Sequence, residues 1–234
     1  MNNIKRFGSL YGGKSVLDHE SLRKGLLISA GAGEDISFDI EMINYYNLQA
    51  ILLDPTPRSK THINKVFKNM GYQNTSSYSN DGNQSVSSYD LRKINKSCLH
   101  YMELALSDKK GYYKFYSPLN QKYVSHSLIN NSNLSHNFFQ VYTTTYSELS
   151  KSIDLAVSCL KLDIEGSEIS VIEDVMNSTH LPLQICVELD FIKTNKISAQ
   201  KKLNSLVNRL EQKNYKLLHV EGFEYLFVQT HLFE

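Results

Sequence analysis

The chain has almost no net charge. Its 234 residues include 25 lysines and arginines and 24 aspartates and glutamates, a balance of +1. That removes the electrostatic footprint of a protein that binds nucleic acid or an anionic membrane. Cysteine is scarce as well: Cys98, Cys159 and Cys186 are odd in number and far apart, with no CxxC and no zinc-type spacing. Each lies in an apolar, strand-like run, so buried free thiols in a reducing compartment are expected and a disulfide framework is not. No apolar run approaches the roughly 20 residues of a bilayer span, and no apolar leader opens the sequence. The expectation is a soluble cytoplasmic protein without an integral membrane segment. At this length one α/β domain over residues 1–234 would bury roughly 70% or more of its unfolded surface.

What the chain does have begins at Leu26. The run Leu26-Leu27-Ile28-Ser29-Ala30 stops at Gly31-Ala32-Gly33 and passes at once into Glu34-Asp35 and a helical period over Ile36, Ile40 and Ile43. This reads as strand, tight loop, helix. Residues without a side chain let backbone approach a ligand, and helix N-terminal N–H groups point at whatever sits there. Roughly 20 residues on, the strand-like run 50–53 ends in Asp54 and Pro55, where a parallel βαβ unit offers a carboxylate to ribose hydroxyls. An adenosyl cofactor is implied. The third glycine of a dinucleotide fingerprint is missing, because Ile36 holds its position. Glu34 and Asp35 at the loop mouth would repel a pyrophosphate and suit a sulfonium with an ammonium group, so S-adenosylmethionine fits better than NAD. A competing reading gives Asp35 to the helix as its N-cap.

Strand-like and helix-like segments alternate along the chain, which predicts a mostly parallel sheet with crossover helices. Pro55-Thr56-Pro57 is a stiff extended exit. A helix follows with Ile63, Val66, Phe67 and Met70 on one face and Gly71 as C-cap. Residues 72–97 are poor in aliphatics and predict a surface excursion with a short helix near 90–94 and nothing catalytic. Residues 99–106 predict one strand, 107–111 a turn and 112–116 its antiparallel continuation, with Ala105, Leu106 and Ser107 beside an adenine. A second polar excursion, 117–137, carries His126 and His136; it reads as a cover over substrate or as a plain surface loop.

The second informative cluster runs from Ala156 to Glu168. A buried strand ends in Lys161, Asp163 and Glu165, followed by Gly166 and a helix with Ile169, Ile172 and Met176 on one face. Ligands of open α/β sheets sit beyond the carboxyl ends of strands, so Asp163 and Glu165 should face the crevice of Gly31 and Asp54. The plainer alternative is helix capping by Glu165 or Glu168 and a salt bridge for Lys161. The next strand delivers Glu188 and Asp190 to the same edge. The chain then gives a helix over Leu203, Leu206, Val207 and Leu210 and a hairpin of 215–220 with 225–229, an ending unlike that of a dinucleotide dehydrogenase.

Four motifs in this order, Ser29-Ala30-Gly31-Ala32-Gly33-Glu34-Asp35, Leu53-Asp54-Pro55-Thr56-Pro57, Leu104-Ala105-Leu106-Ser107-Asp108 and Lys161-Leu162-Asp163-Ile164-Glu165-Gly166-Ser167-Glu168, resemble FkbM-type S-adenosylmethionine-dependent methyltransferases over nearly the whole chain. The resemblance implies a class I methyltransferase (Rossmann-like) fold: a mostly parallel seven-stranded sheet, helices on both faces and a C-terminal antiparallel hairpin. It also implies O-methylation of a hydroxyl on a surface-polysaccharide sugar or a secondary metabolite. By the motif match Gly31, Gly33 and Glu34 belong to the cofactor loop, Asp54 to the ribose, and Asp163 with Glu165 to the reaction edge. Tyr11-Gly12-Gly13 resembles a Tyr-Gly-Gly-Trp element of many relatives, with Lys14 in place of the tryptophan.

Such chemistry needs the acceptor oxygen held in line and its proton taken by a base within about 3 Å. Asp163, Glu165, Glu188 and His126 are the candidates. Grouped carboxylates could instead hold Mg²⁺, the less favoured expectation. The polar and tyrosine-rich excursions suit a saccharide or other small-molecule acceptor. An NAD-dependent oxidoreductase and a catalytically inactive S-adenosylmethionine-binding relative are the alternatives.

Overall fold

The computed structural model describes residues 3–120, 125–130, 134–193 and 196–233, with the side chains of 134–136 and 196 left aside. Two short strands, β1 (Ile4–Phe7) and β2 (Lys14–Leu17), form an antiparallel hairpin. The chain then enters β3 (Leu26–Ala30), α1 (Ser37–Tyr46), β4 (Gln49–Leu53), α2 (Pro57–Lys68) and β5 (Leu99–Met102). Next come β6 (Ala105–Leu106), β7 (Gly111–Pro118), β8 (Leu134–Thr144), α3 (Tyr146–Lys151), β9 (Val157–Leu162), α4 (Glu168–Asn177) and β10 (Gln184–Glu188). The chain closes with α5 (Lys196–Glu211), β11 (Tyr215–Glu221) and β12 (Glu224–Gln229).

Seven strands build the central sheet in the order β11-β12-β10-β9-β3-β4-β5. The β3–β4, β4–β5, β3–β9 and β9–β10 pairs are parallel, and β12 runs antiparallel to both neighbours. This is the class I methyltransferase arrangement, Rossmann-like with one reversed strand near the C-terminal edge. Period-two burial explains it. Leu27, Ala50, Leu52 and Cys159 face one core layer with α1 and α2, while Ile28, Leu53, Leu160 and Leu162 face the other with α3, α4 and α5. Strand order reverses direction between β3 and β9, and their carboxyl ends open the crevice where ligands of such sheets sit.

The sequence expectations differ from this fold in several places. The run 99–106 is two strands, because the chain leaves the main sheet after Met102 and Ala105–Leu106 joins a three-stranded sheet in the order β6-β8-β7. The antiparallel partner of β7 is therefore β8, not the run before it. Helix α2 starts at Pro57 with Thr56 as N-cap, its hydroxyl accepting from Ser59 N–H, and ends at Asn69 rather than Gly71. In residues 72–97 the short helical turn is Val86–Ser88, and Tyr89, Leu91 and Ile94 are buried core residues. Within 117–137, residues 121–124 and 131–133 lie outside the described residues. Cys159 and Cys186 are buried neighbours with sulfurs 3.7 Å apart, and Cys98 is only half-buried. Among the described residues no helix is long and apolar enough to cross a membrane.

The β1–β2 hairpin docks on the sheet through Gln184, whose side-chain amide accepts from Leu17 N–H at 2.9 Å and donates to Leu17 O at 2.8 Å. The amide thus reproduces a ladder pairing and fixes where the hairpin's loop lies.

Candidate active site

A cleft opens at the carboxyl ends of β3, β4 and β9, with about 790 Å³ of empty space counted to its open mouth. Its floor is the loop after β3. Gly31 has φ +82° and Gly33 φ +55°, both in the left-handed region. The close approach at Gly31 comes from the protein itself: a Cβ there would stand 1.7 Å from the Asp163 carbonyl oxygen. Gly33 N–H donates to Asp54 Oδ2 at 2.8 Å, while Asp54 Oδ1 accepts from Thr56 N–H at 2.8 Å and Thr56 Oγ1 at 2.6 Å. Burial pushes the Asp54 carboxyl up against these bonds, which favour its charged form. Asp54 therefore ties the glycine loop to the start of α2.

The amides that would meet an anion are occupied. Ile36 N–H donates to Tyr89 Oη at 3.2 Å and Ser37 N–H to Asp35 Oδ1 at 3.0 Å, so Asp35 serves the helix start although Ile36 holds the cap position. The other oxygen of Asp35 accepts from Ser9 Oγ at 2.6 Å and Gln84 Nε2 at 3.2 Å. Glu34 is ion-paired with Arg58, which offsets the charge the sequence places at the loop mouth. Beneath the loop, buried Lys161 donates from Nζ to Gly31 O at 2.9 Å. Asp39 on α1 is fully buried nearby; burial raises its carboxyl above the usual range, and Lys161 and Ser29 pull the other way.

The far wall is the turn from Asp163 to Glu168. Glu165 has φ +58°, a left-handed conformation uncommon for a side chain of this kind. Burial and the neighbouring carboxylates of Asp190 and Asp163 push its carboxyl up to about 8, opposed by a hydrogen bond from Ser125. Of those two neighbouring carboxylates Asp190, itself ion-paired with Lys193, has the larger effect. Glu168 clamps the turn instead: its carboxylate accepts from Gly166 N–H at 3.0 Å and Ile164 N–H at 3.1 Å, and burial pushes it up to about 7.

These two raised carboxyls make stability pH-dependent. The folded state holds protons on Glu165 and Glu168 where an unfolded chain, with glutamates near 4.5, has lost them. Their contribution is therefore largest at low pH and declines as pH rises toward 8. Buried His62, whose lowered pKa acts in the opposite sense, matters only below its ordinary 6.5. Between pH 6.5 and 8 the unfolding free energy should fall by on the order of 1 kcal/mol, and the urea midpoint with it. A midpoint that rises across that interval would contradict these assignments.

Elements outside the main sheet cover the cleft. Tyr11, from the β1–β2 loop, and Gly82 line it together, and a Cβ on Gly82 would lie 2.5 Å from the Tyr11 ring. The connection from β7 to β8 contributes His126 and Leu128, with His126 stacked on Phe115 at 5.7 Å between ring centres. Ser127 Oγ donates to Glu165 O at 2.7 Å and so fastens this cover to the turn.

Of the expected residues, Gly31, Ala32, Gly33, Glu34, Asp54, Pro55, Ala105, Leu106, Asp163, Glu165 and His126 all line this one cleft. Ser107 does not, because its backbone N–H is drawn into a bond with Thr144 O at 2.9 Å and the residue is buried behind β6. Glu188 stands outside the lining, paired with Lys14 Nζ at 3.4 Å and Lys193 Nζ at 3.0 Å. The His136 side chain lies outside the described residues. Sequence reasoning missed the cleft positions of Tyr11, Gly82 and Phe115, and Asp190 as partner of Glu165; the acid after β10 was the available signal for the last. Among the described residues no group of three or more metal-binding side chains converges.

No protein-family model matches the chain, and no curated protein matches it. A solved structure, the Methanococcus jannaschii fibrillarin pre-rRNA processing protein, aligns at 9% identity and a TM-score of 0.43 over 89% of this chain and 67% of that one. Likeness at that level bears on neither fold nor chemistry. The class I assignment stands on the strand order and directions of the sheet itself.

Proposed function

We propose that this chain is an S-adenosylmethionine-dependent O-methyltransferase acting on a hydroxyl of a saccharide or a comparable small polyol. The observation that carries the reading is the chemistry of the cleft lining. Glu34, Asp35, Asp54, Asp163 and Glu165 bring carboxyl groups there, Glu34 paired with Arg58 and Asp163 with Lys14, and among the described lining residues the one ammonium, Lys161, is bonded to backbone. The loop amides of Gly33, Ile36 and Ser37 are spent on protein acceptors. Such a lining disfavours pyrophosphate and suits a ligand that carries positive charge. S-adenosylmethionine supplies an electrophilic methyl group when bound.

In this reading Asp54 faces the ribose, Ala105, Leu106 and Phe115 form the apolar side for the adenine, and Asp163 serves the methionine end. Tyr11, Phe115 and His126 offer rings for a sugar to stack on. Glu165 takes the acceptor's proton. Its carboxyl is pushed close to working pH by burial and by Asp190, which suits a general base.

Asp54→Ala should weaken affinity for S-adenosylhomocysteine about 100-fold, the scale of losing charge-assisted hydrogen bonds worth about 1.5–3 kcal/mol each. Calorimetry on the folded variant checks it; an unchanged affinity would remove Asp54 from the ribose role. The reaction itself is tested with donor labelled in the methyl group, offered with mono- and oligosaccharide acceptors. Label that appears in an alkali-stable methyl ether supports the proposal. Donor binding with no S-adenosylhomocysteine formed from any hydroxyl acceptor would mark a binding protein without this activity.

A further inference from the structure

Three carboxylates from three separate elements meet one buried ammonium beside the cleft. Lys14 opens β2, and its Nζ lies 3.0 Å from Glu224 Oε1, 3.4 Å from Glu188 Oε2 and 3.6 Å from Asp163 Oδ2, with the side chain only 2% exposed. Sinking an ammonium costs free energy that a methionine at the same place would not, so the charge has to be explained by its partners. Burial alone would lower the lysine; the combined carboxylates of Asp163, Glu224 and Glu188 reverse that and hold it charged.

The partners are not equivalent. Glu224 also receives Arg6 at 3.1 Å, and Glu188 receives Lys193 at 3.0 Å, so both keep a cation if Lys14 is lost. Asp163 has no other ion-pair partner among the described residues, and the Glu165 carboxyl is its neighbour in the turn. His219, near Glu221, and Tyr11, near Asp163, complete the titratable groups around this cluster. Of the three acids only Asp163 lines the cleft.

We propose that Lys14 is a positioning residue of the reaction edge: its ammonium, anchored by Glu188 and Glu224, holds the Asp163 carboxylate in place at the cleft. This rests on the methyl-donor reading for its catalytic meaning. The physical claim about Asp163 stands apart from it. The β1–β2 hairpin is then a working part of the site, placing Lys14 behind Asp163 and Tyr11 in the cleft wall.

Urea unfolding of unliganded protein tests the claim without any ligand. Lys14→Met should lower the unfolding midpoint clearly less when Asp163→Asn is already present, whereas Lys14→Arg should leave the midpoint near that of the wild type. Turnover in Lys14→Met should fall about 100-fold, the scale of a misplaced reacting group, with a smaller change in S-adenosylhomocysteine affinity, and Lys14→Arg should keep most of the turnover. Additive effects of Lys14→Met and Asp163→Asn on the midpoint overturn the inference. Should Lys14→Met fail to fold, Asp163→Asn is added to it: recovered folding supports the charge role, and persistent misfolding assigns Lys14 to packing and overturns it. Failure of wild-type protein to bind S-adenosylhomocysteine would sink the methyl-donor reading alone.

Discussion

Gly31→Ala should cost more than about 3 kcal/mol of folding stability and abolish ligand binding at the cleft. The added methyl would lie 1.7 Å from the carbonyl oxygen of Asp163, at a φ of +82°. Neither side can yield cheaply. The opposing atom is backbone, Asp163 N–H is bonded to Ala30 O at 3.1 Å, and Gly31 N–H is bonded to Leu53 O at 3.0 Å. Strand β9 would have to move away from β3 where the two deliver the cleft residues. Gly71→Ala is the internal control, since Gly71 has φ +89° but nothing within 4 Å of its Cβ position. That variant should cost only the left-handed strain, about 1 kcal/mol. Denaturant unfolding of the two variants separates contact from backbone strain. Similar losses at both sites would mean that the packing at Gly31 relaxes.

Glu165→Gln should lower kcat by about 10²- to 10⁴-fold, the usual contribution of a general base. The effect on donor affinity should be much smaller. In the wild type, kcat/KM should rise with pH through a midpoint near 8, because the base works deprotonated and burial with Asp190 and Asp163 holds its proton to about that value in the free protein. Asp190→Asn removes a neighbouring negative charge, so its profile should shift to lower pH. A wild-type rate independent of pH from 6 to 9, with Glu165→Gln fully active, would move the proton transfer elsewhere in the cleft, Asp163 and His126 being the other candidates lining it.

The parts of the fold that the sequence displays are those encoded locally. Strand β3, its glycine loop and Asp54 at the end of β4 are visible because an apolar run, a turn and an acid follow one another within a short stretch. The same holds for β9 and the turn from Asp163 to Glu168. What was not legible depends on distant residues. Lys14 is legible only as a lysine in place of a tryptophan, because the acids that explain its burial lie at positions 163, 188 and 224. The break between β5 and β6 is hidden by the apolar residues that continue through Leu104, and the pairing of β7 with β8 spans a connection with no turn signal of its own. Gly31 shows the subtler failure. The sequence marks it as a place of close approach, but the approaching group is the Asp163 backbone, which only the β3–β9 pairing brings there. Glu34 is similar, since its charge is legible and its pairing with Arg58 is not.

Titration calorimetry of the wild-type protein with S-adenosylhomocysteine and, separately, with NAD tests the central claim most directly. An acid-lined cleft in which the amides of Gly33, Ile36 and Ser37 are already bonded to protein should bind S-adenosylhomocysteine saturably at one site, respond weakly or not at all to NAD, and lose the first interaction in Asp54→Ala. Saturable NAD binding at that cleft, with no heat from S-adenosylhomocysteine, would contradict it.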